Sequence, residues 1–157
     1  MTFYIMSIES FVDFECIVEE KKLLYKFTAN GGSITELRMI HLINQMNEIF
    51  KSLGNEKITK VYFIFDIQKI VLPTNLTLLK EFSDMFTSNR ENLTKKLQFS
   101  IVVNNNNVFR IFFSLFKQYY NPVKSLYLCS NDEEMKICLH DESKRDSFPN
   151  IINIFEK

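Results

Sequence analysis

The sequence predicts an α/β protein: an N-terminal antiparallel hairpin followed by an α-β-α-β-α-β-α run, with helices packed on a mixed sheet. Three observations predict it. Short apolar runs at 61–65, 97–103 and 126–129 each stop abruptly at polar, cap-forming residues: Asp66, then the four asparagines from Asn104 to Asn107, then Ser130, Asn131 and Asp132. A stretch of helical spacing follows each run, so the runs read as parallel strands whose carboxyl ends share one edge. Ahead of them, residues 11–19 and 23–28, on either side of a polar turn, alternate with a period of two, as strands of an antiparallel hairpin do.

The elements follow in order. A strand over 3–8 precedes one over 11–19, in which Val12, Phe14, Cys16 and Val18 share one face and Asp13, Glu15 and Glu19 the other. After a polar turn, Leu23, Tyr25 and Phe27 alternate with Leu24, Lys26 and Thr28 on an antiparallel return strand, which Asn30-Gly31-Gly32 ends. Ser33-Ile34-Thr35-Glu36 reads as a capping box that starts a helix. Ile34, Leu37, Ile40, Ile43, Met46, Phe50 and Leu53 recur at helical spacing along it, and Gly54 is placed to stop it in a left-handed conformation. The strand at 61–67 is apolar on both faces, as strands covered on two sides are. Pro73, Thr74 and Asn75 begin the next helix, with Leu79, Phe82, Met85 and Phe86 inward. Asn104 to Asn107 cap a helix over 108–120, ended by Asn121-Pro122, and Asn131 to Glu134 form a second capping box opening a helix to about His140. The apolar coda at 151–155 is assigned no form; residues 141–157 read as a C-terminal extension of one domain spanning 1–157.

Composition bounds the function. A chain of 157 residues fits one domain and buries roughly 70% of the surface its unfolded form exposes. With 46% hydrophobic and 24% charged residues, neither disorder nor a fibrous repeat is expected. Basic and acidic residues number 19 each, so no bulk positive field gathers phosphates, and no nucleic-acid partner is expected. Lys95-Lys96 and Lys144-Arg145 are short enough to be solvated loop charges. Cys16, Cys129 and Cys138 are odd in number and set among apolar neighbours, which fits reduced core thiols in a cytoplasmic protein. Residues 1–8 lack a charged leader, and Arg110 and Ser114 break the longest apolar region, so neither a signal peptide nor a transmembrane segment is expected.

Little in the sequence points to catalysis. Gly31, Gly32 and Gly54 are too few and too scattered for a dinucleotide fingerprint or phosphate loop, so no cofactor is expected. Cys138-Leu139-His140 offers two metal ligands without an evident third and fourth, and no metal is assigned. Asp66 ends a parallel strand where ligands gather in open α/β sheets, and phosphoryl transfer there would want a second carboxylate two residues on, or a hydroxyl and a lysine on neighbouring strand ends. Gln68, asparagines and Ser130 stand there instead, so Asp66 reads as a loop carboxylate bonding nearby amides. No residue is assigned a catalytic role, and the chain is expected not to be an enzyme. The candidate binding edge comprises Asp66, Thr74, Asn75, Asn104, Asn105 and Asn131. The 108–120 helix adds a candidate surface. Its polar residues Arg110, Ser114, Lys117, Gln118 and Asn121 make one narrow stripe, while Phe109, Phe112, Phe113, Phe116, Tyr119 and Tyr120 help cover the rest. A helix in a two-layer domain needs an apolar face of only about 100°. Another helix, the tail at 151–155, a second subunit, a lipid chain or a membrane surface must cover the remainder.

The stretch Phe63-Ile64-Phe65-Asp66-Ile67-Gln68-Lys69-Ile70, with Leu72-Pro73-Thr74-Asn75-Leu76 and Leu78-Leu79 after it, resembles the signature of STAS domains: an apolar strand ending in aspartate, a short loop, then a helix carrying a regulatory serine. The family pattern continues Asp-Ser-Ser-Gly, whereas only Thr74 offers a hydroxyl here. The order of elements likewise resembles the SpoIIAA-like fold that STAS domains share with CRAL-TRIO lipid-binding domains, and Leu93, Lys96, Asn104, Phe109, Phe112, Lys117 and Lys124 fall where CRAL-TRIO domains tend to have similar residues. The resemblance implies a non-enzymatic interaction or regulatory module, self-associating or binding a protein partner through the aromatic helix or the strand-end edge. The alternative it implies is a small lipid-binding domain, which predicts a cavity of several hundred cubic ångströms.

Overall fold

The computed structural model describes residues 2–6, 12–19, 22–71, 76–148 and 150–152, and they form a mixed α/β fold. Strands β1 (Thr2–Met6), β2 (Val12–Glu19) and β3 (Lys22–Ala29) make an antiparallel meander. The two-residue β4 (Gly32–Ser33) leads into α1 (Glu36–Ser52), then β5 (Val61–Asp66) and β6 (Ile70–Val71), which pairs with β4. Helices α2 (Leu76–Ser88) and α3 (Arg90–Lys96) precede β7 (Leu97–Val103). The chain continues through α4 (Asn106–Phe116), β8 (Leu126–Cys129), α5 (Asp132–His140), α6 (Glu142–Arg145) and β9 (Asn150–Ile152). The large sheet runs β1-β2-β3-β5-β7-β8-β9; β5, β7 and β8 join β3 in parallel, and β9 closes the far edge antiparallel to β8. The parallel strands β3, β5, β7 and β8 advance steadily across the sheet, and residues of α1, α2 and α4, which lie between them in the chain, line one face together, as crossovers of a single hand require.

Alternation along the strands builds two cores. Phe14, Tyr25, Phe27 and Phe63 turn to the face under α1, and Phe50 stacks on Phe63 with ring centres 5.3 Å apart. Phe50 and Phe63, 0% and 1% exposed, each contribute roughly 1.5–3 kcal/mol by burial. Leu24, Ile64, Ile101, Val103 and Cys129 turn to the opposite face, where α5 lays Met135, Cys138 and Leu139 on them. The expectation that 61–67 is covered on both sides holds, and its helical covers come from different parts of the chain. Helix α6 belongs to this second layer: its Arg145 donates to the Cys138 and Leu139 carbonyls at 2.7 and 3.1 Å, satisfying acceptors that the end of α5 leaves open. Its guanidinium also lies 4.4 Å over the Phe99 ring.

Four local expectations change. Thr35, not Ser33, caps α1, accepting from the Arg38 amide at 3.2 Å, because Ser33 is already committed to β4. The buried side of that helix is Met39, Met46, Ile49 and Phe50, while Leu37 and Ile40 stand 61% and 46% exposed. Gly54 takes no left-handed conformation: tight amide bonds from Leu53, Gly54 and Asn55 back three residues finish the helix instead. The positive-φ glycines are Gly31 and Gly32, at 126° and 90°, where the chain turns out of β3 against Arg38. Val18, expected inward, is 46% exposed near the end of β2. The sequence reading also places no element at α3, a single amphipathic stretch anchored by Leu93 at 1% exposure. The start of the second helix at 73–75 and the end of the coda at 153–155 lie outside the described residues.

Candidate functional site

The carboxyl ends of the parallel strands meet as expected and form an open depression of about 370 Å³ lined by Gln68, Asn104, Asn105, Asn107 and Ser130. Each lining residue is held by its element. Asn104, just past β7, is 5% exposed; its side chain donates to the Ile67 carbonyl at 2.9 Å and its amide to the Cys129 carbonyl at 3.0 Å, tying three strand ends together. Its own side-chain oxygen accepts from the Asn105 amide. Asn105 accepts from the Asn107 amide at 3.0 Å and, through its carbonyl, from Phe109 at 3.0 Å, so the asparagine run does start α4. Asn131 caps α5, accepting from Glu134 at 2.9 Å, while the Glu134 carboxylate accepts from the Ser130 amide at 2.9 Å. Asp66 behaves as a loop carboxylate: its Oδ1 accepts from the Gln68 amide at 3.3 Å and the Gln68 side chain at 3.1 Å. The same side-chain amide reaches Asp132 at 3.4 Å, which makes Gln68 the bridge across this edge, a role its position alone did not signal. The structure thus gathers Asp66, Asn104, Asn105 and Asn131; Thr74 and Asn75 lie outside the described residues. The depression offers amide and hydroxyl groups flanked by acids, a surface suited to hydrogen bonding with a neutral partner and unfavourable to an anion.

The aromatic helix divides differently from the expectation. Phe109, Phe113, Phe116 and Tyr120 are 4%, 4%, 6% and 7% exposed, so these four are core rather than docking surface. They pack on Val102, Leu126 and Leu128 of the sheet, and α2 covers their flank. Phe82 and Phe86 of that helix meet Phe116 at 5.8 and 5.9 Å, and Phe86 meets Tyr120 at 5.4 Å. A neighbouring helix is therefore the main cover for the surplus apolar surface. Burial, opposed by nearby Arg90, pushes the Tyr120 phenol up to about 12. What remains outward is Ile111, 64% exposed, with Phe112, Leu115 and Tyr119 half-buried beside it and Arg110, Ser114, Lys117 and Gln118 around them. Ile111 and Leu115, one turn apart on the helix, were legible as a pair only once the inward side was known.

Under α4 and α2, against the sheet, lies an apolar void of about 160 Å³. That is below the 300–1,000 Å³ of ordinary ligand pockets and below the several hundred expected of a lipid carrier. The opposite face holds the thiols. Cys129 and Cys138 are both fully buried, and the neighbouring Cys138 thiol together with burial holds Cys129 above the ordinary thiol range. His140 pairs instead with Glu19, 3.3 Å distant. Among the described residues no group of three or more His, Cys, Asp or Glu side chains is arranged to hold a metal ion. Among the same residues, no helix is long and apolar enough to cross a membrane. Compared with protein-family models, with curated proteins and with solved structures, the chain matches none.

Proposed function

We propose that this chain is a non-enzymatic interaction module of the STAS-like kind, which associates with a second copy of itself through the outer strip of α4. The observation that carries the reading is Ile111, a β-branched apolar side chain 64% exposed at mid-helix, continuous along the helix with half-buried Leu115 and flanked by Phe112 and Tyr119. An apolar centre with a rim of Arg110, Ser114, Lys117 and Gln118 has the anatomy of a small interface. The antiparallel opening followed by sequential β-α units supports the STAS-like part of the reading. The role of Asp66 as a turn carboxylate, engaged by Gln68, supports a binding edge rather than a phosphoryl-transfer centre. Three unpaired cysteines support a reducing, cytoplasmic setting. Sedimentation velocity across a micromolar concentration series tests the proposal. The wild-type chain is expected to shift from monomer to dimer and Ile111→Glu to stay monomeric with an unchanged circular dichroism spectrum; a variant that dimerises as the wild type does refutes it.

A further inference from the structure

We propose that the void between the sheet and helices α1, α2 and α4 is a binding site for one small, uncharged, apolar molecule: a single aromatic ring or a compact aliphatic group. Its origin is local. Ser100 lies in β7 between Phe63 of β5 and Leu126 of β8 in the strand register, on the face that the aromatic helix covers. Ser100 and Ala29 are the small side chains among larger ones lining this space, and a larger group at Ser100, set centrally between β5 and β8, would fill part of it. The void measures about 160 Å³ and is bounded by Phe65, Phe82, Phe109 and Phe113 among others; apart from Ser100, Tyr120 and Lys124, every residue lining it is apolar.

Lining and size together select the occupant. A buried water needs two to four polar partners, and an engineered apolar cavity of about 150 Å³ in another protein stays dry and takes benzene or xenon. A dry void also leaves its lining atoms without dispersion partners, an attraction that an apolar guest restores. A charged guest would lose its hydration with little to replace it. A drug-sized or lipid-sized molecule needs several hundred cubic ångströms and does not fit. The proposal rests on this void alone and stands apart from self-association, which is read on the outer side of α4.

The test is a benzene titration of protein carrying 13C-labelled methionine methyls, followed by NMR. Met39 and Met46 line the void, while Met135 packs on the opposite face of the sheet and serves as the internal control. Saturable shifts are expected at Met39 and Met46 and none at Met135, with affinity weakened at least about tenfold in Ser100→Leu, which fills the hollow. If Ser100→Leu does not fold, the milder Ser100→Val carries the same expectation. Shifts that never saturate, shifts of equal size at Met135, or a filled variant that binds benzene as the wild type does would overturn the proposal.

Discussion

Truncating Phe113 and Ile111 to alanine, one at a time, tests which side of α4 faces the core. The two residues are two positions apart on one helix, yet they are 4% and 64% exposed. Phe113 packs against Phe109 and Phe116 with ring centres 5.7 and 6.0 Å apart, and Phe→Ala in a core costs about 3–5 kcal/mol. Phe113 also borders the interior void, where it has fewer contacts to lose, so the lower end applies, about 3 kcal/mol. For a domain of this size that lowers the melting temperature by about 6–12 °C and the urea midpoint by about 1.5 M. Ile111→Ala removes little buried surface and gains slightly in helix propensity, so it should stay within about 0.5 kcal/mol of wild type. Equilibrium urea unfolding followed by far-ultraviolet circular dichroism measures both. Equal losses, or a larger loss at Ile111, would show that the helix is rotated from the arrangement described and would remove the basis for its outer strip.

Two further outcomes follow from the caps and from the buried phenol. Thr35→Ala should cost about 1 kcal/mol by exposing an unpaired helix amide, whereas Ser33→Ala, two residues earlier, should change stability by less than about 0.5 kcal/mol; thermal melts of the pair separate the two cap assignments. Burial raises the Tyr120 phenol to about 12 in the folded chain, against about 10 when unfolded, so its contribution is complete below pH 10 and is lost as pH rises through 12. Wild type should therefore lose about 2–3 kcal/mol of stability relative to Tyr120→Phe over that window, and parallel pH profiles would contradict it.

The strands were legible because their patterns are strong. Residues 61–66, apolar on both faces, read as an interior strand, and the alternation of 12–18 and 23–28 showed which residues of the meander face α1, save Val18 near a strand end; it did not show that Leu24, set with Lys26 and Thr28 on the other face, is buried under α5. Helix faces were harder. In the face drawn through Ile34, Leu37, Ile40, Ile43, Met46, Phe50 and Leu53, the last three are buried as expected, but the first four repeat every three residues and drift around a helix of 3.6 residues per turn, which left Leu37 and Ile40 in water and passed over buried Met39 and Ile49. In α4 the aromatics surround so much of the circumference that no inward side can be read without knowing that Phe82 and Phe86 arrive from α2. The strand-end edge was visible from the polar residues that stop each run. The bridging of Gln68 and the hollow at Ser100 depend on which strands become neighbours, and a single chain read in isolation does not say that.

Native mass spectrometry of the freshly purified wild-type chain beside Ile111→Glu tests the central claim most directly, because one spectrum counts subunits and weighs anything retained. A wild-type dimer and a monomeric variant are expected. A wild-type chain that stays monomeric, or a variant that remains dimeric, would contradict it.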